Sequence, residues 1–372
     1  MQQTRIHALD GLKGISALII ACIYHPATIS FCHTEGIAPV SNSVFEWLYQ
    51  NGGIFVELFF VISGYVSFYV YNHLIDEGLT FGKYVKKRAV RIYPLIFITL
   101  ALAIVANLVY LQTQGSLFFS FGYDNDTLLS LCFGFLGIPN VLGTQSWNYP
   151  AWSMTLFILL WMIYYGVIAF TKRVKNKEVA RVLICGIFIL YGVDMVVHQN
   201  IVLLLYNATI ARGFMGFFAG GIVYYVVRYV RQEVQKCICG FALGLFVLFV
   251  ILKRYGYHAG NLSILAAAIV FPLLLVLILN SKILSSILGN RFFVYAGKIS
   301  FSIYLLNFPL NILYEIFQEE TGFIITGWSY IVIYTAMHII LGSFLYYWAE
   351  MKIPAWLKKK RFLIGNEEKE MV

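Results

Sequence analysis

The chain has 372 residues, 60% of them hydrophobic and only 12% charged, with a formal charge of +9. That is too little charge to cover the surface of a soluble domain of this size. A mean hydropathy of +0.76 and apolar runs of about 17–23 residues, long enough to cross a hydrocarbon core, point to membrane helices; a β-barrel would show alternation instead.

The expected fold is all-α, a polytopic transmembrane bundle of about ten spans. In chain order they fall at 9–30, 52–73, 91–112, 150–170, 180–198, 211–230, 238–252, 262–280, 299–317 and 326–348. With the N-terminus inside, one side collects Arg5 and Lys13, "KYVKKRAVR" (83–91), "KRVKNK" (172–177), "RYVRQEVQK" (228–236), Lys282, Arg291, Lys298 and "KKKR" (358–361). The other side holds Lys253 and Arg254, with Arg212 near an outer helix start, and the acidic Glu35, Glu46, Asp124, Asp126, Glu319 and Glu320. This is the positive-inside pattern, and it places both termini in the cytoplasm. The positive charge then needs no nucleic-acid partner. Residues 1–350 form one transmembrane domain, and 351–372 a basic cytoplasmic tail.

The first run reads "LDGLKGISALIIACIYHP" (9–26). No small-residue cleavage site follows it, so it is helix one and not a signal peptide. It carries His25 near its outer end, next to the helix breaker Pro26. Span two, "GGIFVELFFVISGY" (52–65), carries Glu57 a few residues inside its outer end. Antiparallel spans put the two groups at similar depth. A carboxylate there can fix the imidazole tautomer and stabilise its cation, as for a catalytic base; a purely structural His–Glu pair is the other reading, and both stay open. The helical face below His25 carries Ala21, Leu18, Ala17 and Gly14, and Glu57 shares a face with Gly53, Phe60 and Gly64. Such small residues serve close packing, or leave a narrow slot toward His25.

Ahead of span three, Arg88 and Arg91 share a helix face, with Lys83, Lys86 and Lys87 nearby. Arginine suits bidentate phosphate contact, so the cluster fits either a phosphorylated cytoplasmic ligand or anionic lipid and topology alone. The external segment 113–149 includes "LLSLCFGFLGIPNVLG" (128–143), apolar but too short and broken to span. In span nine, "ISFSIYLLNFPLNILYE" (299–315), Ser300, Tyr304, Asn307, Asn311 and Glu315 form one polar stripe at helical spacing. Five such groups in line favour a hydrated cavity over simple interhelical bonding. Pro309 frees the carbonyl of Leu305, which then needs a partner. The six cysteines, with only Cys237 and Cys239 close together, give neither a disulfide framework nor a metal site.

These residues resemble the acyltransferase 3 family of integral membrane acyltransferases, over nearly the whole chain. "LDGLKGISALIIACIYH" is similar to the family's first-helix motif ending in its essential histidine, "FVELFFVISGYV" (55–66) to its second-helix signature, and "KKRAVRIYPL" (86–95) to its basic pair. "RGFMGFFAGGIVYY" (212–225) and "GKISFSIYLLNFPL" (297–310) match two weaker late motifs. The resemblance implies acyl transfer, usually of acetyl from acetyl-CoA, onto hydroxyls of extracytoplasmic glycans such as O-antigen, capsule or exopolysaccharide. It assigns His25 as the base and Arg88 and Arg91 as the basic pair.

Three positions depart from that pattern. Eleven residues, not ten, separate Lys13 from His25, which sets the two about 120° apart on a regular helix. Phe157 stands where a glutamate often follows the Trp152–Ser153 pair, and Asn307 stands where the late motif often ends in histidine.

The reading is therefore a cytoplasmic-membrane O-acetyltransferase. His25 is its base, oriented by Glu57; Arg88, Arg91, Lys87 and Lys13 hold acyl-CoA; Trp152, Ser153, Ser300, Tyr304, Asn307 and Asn311 line the substrate cavity. No cofactor is permanently bound and no metal is expected. The rivals are a transporter or flippase for lipid-linked sugars, which internal repeats would favour and none is found, and an inactive member of the family.

Overall fold

The computed structural model describes residues 6–26, 40, 43–118, 127–138, 146–197, 208–254, 266–357 and 359. Among these every regular element is helical. In chain order they are α1 (His7–Ile19), α2 (Ser43–Asn51), α3 (Phe55–Asp76), α4 (Phe81–Gln114), α5 (Thr127–Phe135), α6 (Trp152–Val174), α7 (Lys177–Val197), α8 (Ala208–Tyr229), α9 (Gln232–Arg254), α10 (Phe271–Asn280), α11 (Lys282–Leu288), α12 (Arg291–Thr321) and α13 (Gly327–Leu345). Wider π-helical turns extend α1 (Ile20–Tyr24), precede α10 (Ala266–Val270) and extend α13 (Tyr346–Lys352).

Seven described helical segments are long and apolar enough to cross a membrane, and an eighth candidate is the pair α10 and α11, bent by 98°. Among the described residues, seven or eight of the ten expected spans meet this measure. The segments expected at 180–198 and 238–252 are helical, as α7 and α9. The bend has a local cause: Ser281 Oγ accepts the Leu284 amide and caps α11, while Ser285 donates back to Ile278 O. Three boundaries differ from expectation. The basic cluster before span three is not a loop but the first turns of a helix running from Phe81. Span nine starts at Arg291, and the last helical segment continues to Leu357. In each case polar residues extend the helix beyond its apolar stretch, which hydropathy alone does not register. The short apolar segment near 128–143 forms the nine-residue α5, too short to span, and its residues 139–143 lie outside the described residues.

The chain divides into two compact units. The first comprises Met1–Ile20, Gln50–Phe81 and Leu156–Gly297; the second comprises Ala21–Tyr49, Gly82–Thr155 and Lys298–Val372.

In the first unit α3 lies against α8 so closely that side chains are excluded at two points. A Cβ on Gly64 would overlap the Phe217 carbonyl, and one on Gly220 the Val61 carbonyl. Backbone approach of this kind is how membrane helices gain packing contacts when lipid offers no hydrophobic drive. Gly14 meets the backbone of Ala296 and Gly297 in the same way. The small residues at 14 and 64 are therefore packing surfaces, not the walls of an open slot. α6 is tied to α3 by polar contacts: Tyr164 donates to Ser67 O at 2.9 Å, and Lys172 Nζ donates to Ile75 O and Asp76 O at 3.1 and 3.0 Å. Lys172 thus caps the carbonyl end of α3 as well as marking topology.

In the second unit α5 docks on α4 and the chain before α6. Tyr93 donates to Leu136 O at 2.8 Å, and Trp147 Nε1 to Ser130 Oγ at 2.9 Å. The Leu305 carbonyl released by Pro309 receives Asn148 Nδ2 at 3.0 Å. The partner that the proline demanded comes from the turn before α6.

Gly64→Val should force α3 and α8 apart and destabilise the fold by about 1–3 kcal/mol, the usual cost of overpacking. Gly166→Ala, where a Cβ meets nothing within 4 Å, should be neutral or slightly stabilising. Thermal unfolding of detergent-solubilised protein separates the two; equal midpoints would show that the α3–α8 approach is not tight.

Candidate active site

His25 directly follows the π-helical extension of α1 and is 4% exposed. A π turn takes in one residue more than an α turn and is frequent at functional sites. The regular-helix offset of about 120° between Lys13 and His25 therefore does not apply, because the extra residue is absorbed in the wide turn just before the histidine.

All partners of His25 described here come from the second unit. Its Nδ1 is hydrogen-bonded to the Asn307 amide on α12. Asn307 Oδ1 accepts from Asn311 Nδ2 at 3.0 Å, and the Asn311 amide is bonded in turn to the Tyr334 hydroxyl on α13. The rings of Tyr149 and Tyr304 stand 5.8 and 6.5 Å from the imidazole. Asn307 and Asn311 are fully buried, Ser300 is 5% exposed, and all three lie on the stripe read from the sequence. Ser153 is buried and donates to Pro150 O at 3.1 Å, which places Trp152 and Ser153 directly after the turn bearing Tyr149.

The chain from Tyr334 to His25 has two senses, because each amide can be turned over with O and N exchanged. In one, protons point toward His25 Nδ1 and its Nε2 carries the hydrogen. In the other, Nδ1–H donates to Asn307 Oδ1 and Nε2 presents a lone pair. Only the second leaves a base at Nε2.

The basic cluster belongs to the same unit. Arg88 lies over the ring of buried Tyr84, 5.1 Å from its centroid. Arg91 is an ion-pair partner of Glu350, Nε to Oε2 3.7 Å, while 68% of its side chain is exposed. Glu350 is buried and accepts from Ser302 Oγ at 2.8 Å. Lys87 is exposed one position away on the same helix.

Glu57 and Lys13 lie in the first unit. Glu57 is fully buried, and its Oε1 is held by the Arg212 guanidinium through Nε, at 2.6 Å, and through Nη2. Lys13 pairs with Asp10 at 2.8 Å. Among the described bonds Glu57 is held by Arg212 and His25 by Asn307. A guanidinium is a strong donor for a buried carboxylate.

Three further residues were missed as site groups. Arg212 was read only as an outer-side charge. Glu350 was hidden at the end of an apolar span. His338 is fully buried on α13, with its Nδ1–H donating to Tyr334 O at 2.9 Å. Its signal was present, since Tyr330, Tyr334 and His338 recur at intervals of four.

A sequence profile of the family described as "Acyltransferase domain" matches residues 6–348. The chain belongs to the acyltransferase 3 family. A protein of Rhizobium radiobacter described as "Protein 2 in picA locus" is 34% identical over 99 residues, 26% of this chain and 44% of that protein. No solved structure matches. The profile covers His25, the basic cluster and the polar stripe of α12 together.

Membership makes the departures interpretable. Phe157, where the resemblance leads one to look for glutamate, packs 4.7 Å from the Phe60 ring and 5.8 Å from the Trp161 ring. In this chain that position is part of an aromatic core. Asn307, in place of a histidine, is the direct partner of His25.

Arg212→Met should strand the Glu57 charge and destabilise the protein by about 3–5 kcal/mol, as breaking a buried pair does. Adding Glu57→Gln should recover most of that loss in thermal unfolding. If the double variant is no more stable than the single one, Arg212 is anchored by something other than this pair.

Proposed function

We propose that the protein is an O-acetyltransferase of the cytoplasmic membrane, moving an acetyl group from cytoplasmic acetyl-CoA to a hydroxyl of an extracytoplasmic glycan. O-antigen, capsule and exopolysaccharide are the acceptor classes. The observation that carries this reading is the dual attachment of α12. Asn307 bonds the candidate base His25, and Ser302 bonds the Glu350 that pairs with Arg91. Asn307 lies five positions beyond Ser302, about 7.5 Å of helix rise. One helix thus carries both the partner of a buried imidazole and the partner of the carboxylate that pairs with Arg91.

In this reading Arg88, Arg91 and Lys87 receive the CoA phosphates. The exposed Arg91 fork is held on its Nε side by Glu350, leaving its other nitrogens for bidentate contact. The acceptor hydroxyl reaches His25 Nε2. The imidazole takes its proton while the sugar oxygen bonds to the thioester carbon and the C–S bond breaks, releasing the CoA thiolate. Asn307 accepts Nδ1–H, fixes the tautomer and keeps the ring in place as it becomes cationic. This is the positioning role that the sequence reading had given to Glu57.

His25→Ala should still express and insert, lose about 1–3 kcal/mol of stability for the stranded Asn307 amide, and abolish O-acetyl incorporation into surface glycan, measured on envelope polysaccharide from cells carrying each form. Acetylation at the wild-type level in that variant refutes the base assignment.

Lysine at both 88 and 91 keeps the charge but loses the planar fork. The double variant should insert normally and bind CoA about tenfold more weakly, a loss of about 1.4 kcal/mol. Titration of purified protein with CoA reads this directly. Unaltered affinity reduces the cluster to a topology and lipid signal.

A further inference from the structure

We propose that Glu315 and Gln318, on α12, form a sugar-binding subsite that seats the acceptor glycan beyond His25. This rests on the acyl-transfer reading above and names where its acceptor is recognised.

Glu315 is fully buried, and neither carboxylate oxygen has a hydrogen-bond partner among the described residues. One turn on, Gln318 is 5% exposed; its Nε2 donates to the Tyr314 hydroxyl at 3.1 Å, while its Oε1 has no partner there. Buried polar atoms are almost always bonded, and exceptions call for an explanation. These three are all acceptors. Among the described residues, the titratable groups that interact electrostatically with Glu315 are Glu319, Tyr110, Tyr314 and Tyr334, none of them a cation. The site is built to receive donors from elsewhere.

The position fits a glycan. Glu315 follows Asn307 and Asn311 at helical spacing, eight residues beyond Asn307, about 12 Å along α12. It lies toward the end of the helix that the distribution of basic residues assigns to the exterior. A buried core of rings packs beside this stretch of α12. Tyr149, which faces His25, is 6.2 Å from Phe308; Phe308 is 6.1 Å from Phe118; Phe118 is 5.0 Å from Tyr110. The Tyr110 hydroxyl is hydrogen-bonded to Glu319. Sugar rings present O–H donors at their edges and C–H bonds on their faces. Orphan acceptor oxygens match those O–H donors, and the polar stripe leads from them through Asn311 to Asn307, the partner of His25. A divalent cation would also accept oxygen ligands, yet no group of three His, Cys, Asp or Glu side chains gathers among the described residues.

The test uses the full-length protein in membranes, labelled acetyl-CoA, and the de-O-acetylated surface polysaccharide of the source strain. Glu315→Gln should raise the acceptor KM about tenfold and leave kcat and the acetyl-CoA KM within about twofold. Its unfolding temperature, measured on the purified protein without glycan, should hold or rise, since an unpartnered buried carboxylate is a cost to the empty fold. Gln318→Leu is the second variant and should move the acceptor KM in the same direction. A wild type that acetylates no glycan overturns the acyl-transfer reading and this subsite with it. An active wild type with an unchanged acceptor KM in both variants overturns the subsite alone. A lowered unfolding temperature in Glu315→Gln marks the carboxylate as structural and also overturns it. So does loss of wild-type acetylation in EDTA that calcium restores, because the site then holds a cation.

Discussion

A polar side chain inside a membrane span has no water to turn to, so its partner must come from the protein. In this chain that constraint falls hardest on His25, which sits on an apolar helix next to Pro26. The Asn307 amide satisfies it, and Asn307 is held by Asn311, which is held by Tyr334. One imidazole thereby ties the end of the first span to α12 and α13. The π turn before His25 belongs to the same arrangement, because widening the helix there absorbs an extra residue ahead of the histidine.

The two units solve the membrane problem differently. The first relies on close backbone contact, with glycines at 64 and 220 where α3 and α8 meet, and isolates one strong ion pair, Glu57 with Arg212. Burying such a pair is costly, and its main structural consequence is that neither charge can be exchanged alone. The second unit relies on extended hydrogen bonding through α12, from Ser302 and Glu350 past Asn307 to Asn311. Chains of this kind hold side chains in fixed orientations while leaving their direction of donation reversible. That suits the proton transfer proposed for His25.

Asparagine in place of histidine at 307 has a chemical consequence. A second imidazole beside His25 would compete for the proton; an amide does not titrate. It can donate or accept according to how it is turned, so it supports whichever tautomer the rest of the chain selects. The loss of a glutamate at 157 is met differently, by an aromatic stack with Phe60 and Trp161. These substitutions leave the imidazole, the basic cluster and the polar stripe in place.

The sequence by itself determined the class of the protein, most of its helices, the polar stripe of α12, the candidate base and the basic cluster. All of these are carried by local patterns: run length, helical period, charge and motif. It even determined that the Leu305 carbonyl would need a donor, because proline removes one at a known offset. What it left undecided was who meets whom. His25 and Asn307 are 282 residues apart, and Glu57 and Arg212 are 155 apart. Periodicity within a helix reports which face is polar, not which neighbour that face will touch. Depth alone made Glu57 and His25 plausible partners, while Arg212, Glu350 and His338 each looked like an incidental charge or a lone polar residue. Only the tertiary structure decided those pairings, because packing brings distant helices together and each buried polar group then bonds to the best partner within reach.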